Sequence, residues 1–333
     1  MTLSGGNMKE FNGRKGQEKR SPHRACKQGS VGDLTPPAGR LYTVEGRNLA
    51  LHREGSGTPP VVFLPGAGLV GLDFLNIHEQ VSQFTTSVLY DRAGTGWSDQ
   101  VKLPRSATEV TDELRSLLRE ATISAPYLLV GHSLGGAYAR RYAQRFPTEV
   151  AGLLLLEPFH EDYDAYMPKQ TAFEQLRVLL ALLRWLLHFK TFHRSMYRKM
   201  LASWRDEVRE PLIDWHMRSL MKSFQELPAS QRTAKGFLST ELRNGGNMPD
   251  VPLIVMCALG VDAPTAALMP PSYLPKMNDG KRALFTALAS SVVHGEYREV
   301  ENAGHATMHT DRPDAVVHAI RDLVEIIQHR AHD

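Results

Sequence analysis

The sequence predicts an α/β fold: a mostly parallel, eight-stranded sheet flanked by helices on both faces. Three observations predict it. Eight short apolar or alternating runs, bounded by Gly, Pro and Asp, have strand length. Helix-length amphipathic segments lie between several of them. The alternation of the two favours parallel neighbours joined by covering helices. The 333 residues, 42% apolar and 23% charged, suffice for one large core with an insertion.

The expected strands are residues 41–44, 48–53, 60–64, 87–90, 127–130, 150–156, 253–258 and 297–300. A helix is expected after Ser106, because Ser106 and Glu109 have capping-box spacing ahead of Leu114, Leu117 and Leu118. Another runs from Leu134 to just before Pro147. A last one starts with Pro313 in its first turn and repeats Ala315, Val316, Ile320, Leu323, Val324 and Ile327 on one face. Residues 39–158 and 251–333 therefore read as two parts of one core.

The net charge of +3 is unevenly placed. Residues 1–30 hold seven Lys/Arg against two acids, so the rest of the chain is slightly acidic. That argues against nucleic acid as a partner of the folded body. Residues 1–38 read as a disordered basic tail without the apolar run of a signal peptide. Cys26 and Cys257 make neither a disulfide framework nor a metal-ligand spacing, which points to a reducing, cytoplasmic setting.

Residues 159–250 break the alternation and read as a helical cap inserted between two core strands. Within 176–189, Arg177, Arg184 and His188 form one stripe. Leu179, Leu180, Leu182, Leu183, Trp185, Leu186 and Leu187 cover the rest. The apolar arc is wider than a surface helix needs, and the segment is too short and too charged to span a bilayer. The expectation is a helix buried within the cap. The second reading is weak contact with a membrane surface or an oily substrate.

The strand 127–130 runs into a helix through Gly131-His132-Ser133-Leu134-Gly135. A serine hydroxyl is a poor nucleophile and must be held exposed beside a base and beside donors for an oxyanion. A sharp strand-to-helix turn does this. Glycines two residues before and after the serine remove colliding side chains, and the helix N-terminus offers the Leu134 N–H to developing negative charge.

With these residues the chain resembles the α/β-hydrolase superfamily from about residue 40 to 328. The likeness rests on Leu64-Pro-Gly-Ala-Gly68, Tyr90-Asp-Arg-Ala-Gly-Thr-Gly-Trp-Ser-Asp99, Gly131–Gly136, Asn302-Ala-Gly-His305 and Asp311-Arg-Pro313. It implies the α/β-hydrolase fold, acyl transfer through an acyl-enzyme, and a triad in the order Ser, acid, His. Ser133 is then the nucleophile and His305, past the last strand, the general base. For the acid, Asp262 after strand 253–258 is preferred, with Glu157 at the end of strand 150–156 as the alternative. The oxyanion hole falls to the N–H groups of Ala67 and Leu134. Pro65 stands where many relatives have His, so the Ala67 loop is expected to rely on proline rigidity. The 90–99 loop is read as structural.

No cofactor or metal is expected. His309 follows His305 at helical spacing without a third ligand, and His160-Glu161-Asp162 reads as a polar hinge of the cap. The implied activity is hydrolysis of a carboxylic ester, the substrate being a small or medium molecule with an apolar portion. The leucine- and tryptophan-rich cap would wall the pocket. The alternatives are a serine aminopeptidase using Glu161, Asp162 or Asp164 to hold an ammonium, an acyltransferase, or a ligand receptor with slow turnover. Ser133 at the nucleophile position disfavours epoxide-hydrolase and dehalogenase chemistry, whose relatives carry Asp there. The oligomeric state has no signature in the sequence.

Overall fold

The eight strands form where the sequence places them: β1 (Arg40–Val44), β2 (Arg47–Glu54), β3 (Val61–Leu64), β4 (Ser87–Tyr90), β5 (Tyr127–His132), β6 (Val150–Leu156), β7 (Leu253–Ala258) and β8 (Gly295–Val300). This is a computed structural model, and it describes residues 35–169, 171–187, 189–226 and 236–330. The basic tail up to residue 34, with Cys26, lies outside the described residues. All eight strands join one sheet in the order β1-β2-β4-β3-β5-β6-β7-β8. A two-residue turn, Glu45–Gly46 with both residues at positive φ, closes the β1–β2 hairpin. β2 runs antiparallel to β4, and all later pairings are parallel.

Strand alternation divides the apolar residues between two faces. On one face Val62, Leu129 and Leu155 pack with α2 (Ala107–Glu120) and α3 (Leu134–Arg145). On the other, Phe63, Leu128, Val130 and Leu154 pack with α1 (Leu75–Val81). Every residue of β3, β4, β5 and β7 is buried, as covering on both sides requires. The Ser106 capping box closes as expected: Ser106 Oγ accepts from Glu109 N at 3.1 Å, and Glu109 Oε2 accepts from Ser106 N at 2.9 Å. Such a cap contributes about 1 kcal/mol.

Between β6 and β7 the described residues hold helices and no strand: α4 (Tyr163–Tyr166), α5 (Ala172–Leu187), α6 (Phe189–Met200), α7 (Asp206–Glu226) and α8 (Phe237–Arg243). After β7 come α9 (Ala263–Leu268) and α10 (Leu274–Ala289), and after β8 come α11 (Met308–Asp311) and α12 (Pro313–Arg330).

The insertion is not packed on itself alone: Trp204, Val208, Leu212 and Ile213 share one core with the β1–β8 sheet. Trp204 Nε1, just ahead of α7, donates to Leu72 O, and Trp215 Nε1 of α7 donates to Gly96 O, both at 2.9 Å, tying this part of the insertion to the segments that follow β3 and β4. One expectation about it needs correction. The α5 helix, expected to be buried within the cap, is not buried along its described side chains: Leu176, Leu179 and Leu180 are each more than half exposed. The side chains at 182–188, Arg184 and Trp185 among them, and that of Met221 lie outside the described residues. No helix among the described residues is long and apolar enough to cross a membrane.

Candidate active site

Ser133 is the single residue between β5 and α3, with φ +50° and ψ −117°. This is a strained conformation for a side-chain-bearing residue. Packing around it excludes any larger residue at the flanking glycines. A Cβ at Gly135 would lie 1.9 Å from Leu64 O, and one at Gly131 would lie 2.7 Å from Gly136 Cα. Ser133 N donates to Leu156 O at 3.1 Å and Ser133 O accepts from Phe159 N at 2.8 Å, tying the turn to the end of β6.

His305 follows β8. Its Nε2 lies 3.1 Å from Ser133 Oγ and its Nδ1 2.8 Å from Glu157 Oε2. Glu157 reaches it because β5 and β6 pair His132 with Leu156, so the next residue of each strand, Ser133 and Glu157, emerge side by side. Glu157 has φ +41° and is 2% exposed. Its other oxygen, Oε1, is 2.8 Å from Lys281 Nζ, and Lys281 also donates to Ala258 O. Burial would raise the pKa of this carboxyl, but His305 and then Lys281 outweigh it and hold the group down at about 2. Glu157 is therefore ionised at neutral pH. Neighbouring Cys257 is a buried thiol pushed up to about 12 by its burial.

Asp262, the preferred acid from sequence, is not on His305. Its Oδ1 accepts from Thr265 N, capping α9, and its Oδ2 accepts from Ala306 N, both at 2.7 Å. Gly304 packs so tightly that a Cβ there would lie 2.3 Å from Asp262 Cβ. Asp262 braces the backbone of the His305 loop and has its oxygens committed there. The carboxylate facing the imidazole is the alternative, Glu157.

Leu134 opens α3, and first-turn N–H groups of a helix have no acceptor within it. Ala67 lines the same cavity as Ser133 and His305. Its loop is not held by Pro65 alone. Arg92 Nη1 donates to Pro65 O at 2.8 Å and Nη2 to Gly66 O at 2.7 Å. Glu226, at the end of α7, accepts from Gly68 N at 2.8 Å and from Arg92 Nε at 2.8 Å. Both side chains are buried. Sequence reasoning missed this clamp. Arg92 sits in the 90–99 loop read as structural, and Glu226 lies 134 residues away with no motif around it. Glu226→Ala should lower kcat about 10²-fold with little change in KM, since small displacements of a positioning loop cost that much. Steady-state kinetics beside a melting curve checks this, and a loss of stability with kcat intact would reduce the clamp to a structural role.

The cavity over Ser133 has a volume of about 630 Å³. Met196, Tyr197 and Met200 of α6 wall it on the insertion side, with Val261 and Ala263 opposite. Among the described residues the insertion contributes α6 to this wall; Trp185 and the leucines at 182–187 lie outside the described side chains. The acids of the hinge are spent on cations: Arg140 forks onto Glu161 at 2.7 and 2.8 Å, and Arg243 pairs with Asp162 at 2.5 Å.

The model of the Alpha/beta hydrolase family matches residues 61–319. Among curated proteins, YqjL of Bacillus subtilis is 32% identical over 120 residues, covering 36% of this chain and 47% of that protein. The chain spans less than half the length of the first curated relatives it matches. Among solved structures, a thermophilic esterase from Thermogutta terrifontis superposes with a TM-score of 0.50 at 17% identity, over 86% of this chain and 98% of that one. A meta-cleavage product hydrolase superposes with a TM-score of 0.54 at 15% identity, over 86% and 99%. At such identities the likeness is one of fold.

Proposed function

Because the chain belongs to the alpha/beta hydrolase family, we propose that it is a serine hydrolase cleaving a carboxylic ester of a small or medium, partly apolar molecule. The observation that carries this reading is the hydrogen-bonded chain Ser133–His305–Glu157 opening on the cavity that Ala67 lines. His305 Nε2 takes the hydroxyl proton as Ser133 Oγ attacks the ester carbonyl. The oxyanion is received by the N–H groups of Ala67 and Leu134. The imidazolium, steadied by Glu157 at Nδ1, returns its proton to the leaving alkoxide, and the alcohol departs. A water then gives its proton to His305 and attacks the acyl-enzyme, releasing the acid and restoring Ser133.

Met196, Tyr197, Met200 and Val261 suit an apolar substrate portion. The pairing of Glu161 and Asp162 with arginines takes up two of the three acids an aminopeptidase reading would offer a substrate ammonium, leaving Asp164 to it.

A fluorophosphonate probe together with a panel of nitrophenyl esters and alanine or proline amides tests the reading. Rapid labelling with ester turnover far above amide turnover is expected. Faster amide cleavage would make the protein a peptidase. Tight ligand binding without labelling would make it a receptor.

A further inference from the structure

We infer that His52, Glu54 and His78 form a site for a divalent transition metal of the zinc type, pinning β2 to α1. His52 and Glu54 are two apart on β2 and so project from the same face, while His78 comes from α1. His52 Nε2 lies 3.1 Å from Glu54 Oε1, and His78 Nε2 lies 3.7 Å from Glu54 Oε2. One ligand atom from each residue falls within 4.8 Å of the others. Zinc with ligands at about 2.0–2.1 Å spaces its donors by roughly 3.3 Å in a tetrahedron, and two imidazoles with one carboxylate are among its usual donor sets.

The buried ring supplies the second, independent sign. His78 is fully buried, and its Nε2, on the Glu54 side, has no hydrogen-bond partner among the described residues. Its other nitrogen, Nδ1, lies 2.7 Å from Ser87 Oγ. With Ser87 accepting from Nδ1–H, Nε2 presents a lone pair, which is how an outer-shell partner orients a metal-binding histidine. An orphaned nitrogen on a fully buried ring is otherwise costly to keep. Burial also lowers the proton affinity of both imidazoles. Glu54 is half-exposed, leaving a fourth position for water.

The site is structural and remote from catalysis. Glu54 pairs with Ser87, the first residue of β4, whereas Ser133 follows the last residue of β5 in the same parallel sheet. The two sites lie at opposite ends of the strands. The sequence reading placed no metal here, because the ligands meet only when the β2 edge and α1 come together.

The test is zinc binding by the full chain after chelator treatment, followed by calorimetry and thermal melting. Wild type should bind one equivalent more than His52→Ala and melt at a higher temperature with zinc than without. Ser87→Ala, which touches no ligand atom of the metal, should weaken that equivalent roughly 10–100-fold. Cobalt in place of zinc should give the visible bands of a tetrahedral ion in wild type and lose them in Glu54→Gln. Glu54→Gln is nearly isosteric and half-exposed, so it decides the matter if His52→Ala does not fold. Zinc stoichiometry and affinity unchanged in these variants, or no zinc bound by wild type, would overturn the inference. Zinc bound equally by all variants would assign the metal to other histidines.

Discussion

Ser133→Ala is expected to lower kcat for a carboxylic ester by about 10⁵–10⁶-fold while the protein stays folded. Removing the nucleophile of such a unit costs about as much as removing the whole unit, and what is left over the water reaction comes from binding and the oxyanion hole. Alanine adds no atoms to the turn, so the strained backbone is no worse off and the Leu156 and Phe159 hydrogen bonds to the main chain persist. Kinetics on the best ester of the panel, with intact-mass analysis after fluorophosphonate treatment, checks both halves. Continued turnover or labelling in the variant would mean that the reacting hydroxyl is elsewhere.

Glu157→Gln should cost about 10⁴-fold in kcat, whereas Asp262→Asn should cost about tenfold or less. The glutamine keeps the shape but removes the charge that steadies the imidazolium and selects the Nδ1–H tautomer. Asp262 acts only through the backbone of the His305 loop, at Ala306 N. The reverse ranking would restore Asp262 as the acid. Acid stability provides a second readout. Glu157 is depressed to about 2 in the folded state, below its ordinary value of 4.5, so its stabilising contribution is complete above the ordinary carboxylate range. It is lost as pH falls through that window towards 2. Glu157→Gln should flatten the pH dependence of melting there. Lys281→Met leaves the carboxylate to His305 alone and raises its folded-state pKa, so the acid loss should be smaller and should be complete at a higher pH.

Strand positions were legible because the signal is local. Runs of apolar residues ending at Gly, Pro or Asp mark where a buried extended segment can begin and stop, and β3 to β7 lie within two residues of expectation. Gly131-x-Ser133-x-Gly135 was legible for the same reason, since the turn is built by neighbours in the chain. The choice between Asp262 and Glu157 was not. Both follow adjacent parallel strands, and what separates them is which amides reach the carboxylate. The amides of Thr265 and Ala306 take Asp262, while His305, Lys281 and the Cys257 thiol reach Glu157. The exposure of Leu176, Leu179 and Leu180 was misjudged because an apolar arc records what a helix could bury, not whether a partner is there.

What the sequence by itself determined is therefore the sheet, the strand-to-helix turn at Ser133 and the two strand-end carboxylates that could serve a histidine. Only the tertiary structure brought Glu157 onto His305, clamped the Ala67 loop between Arg92 and Glu226, and gathered His52, Glu54 and His78. The reason is one of range: backbone conformation follows from near neighbours, but a buried charge or an orphaned nitrogen is satisfied by whatever group the folded chain brings within about 3 Å of it.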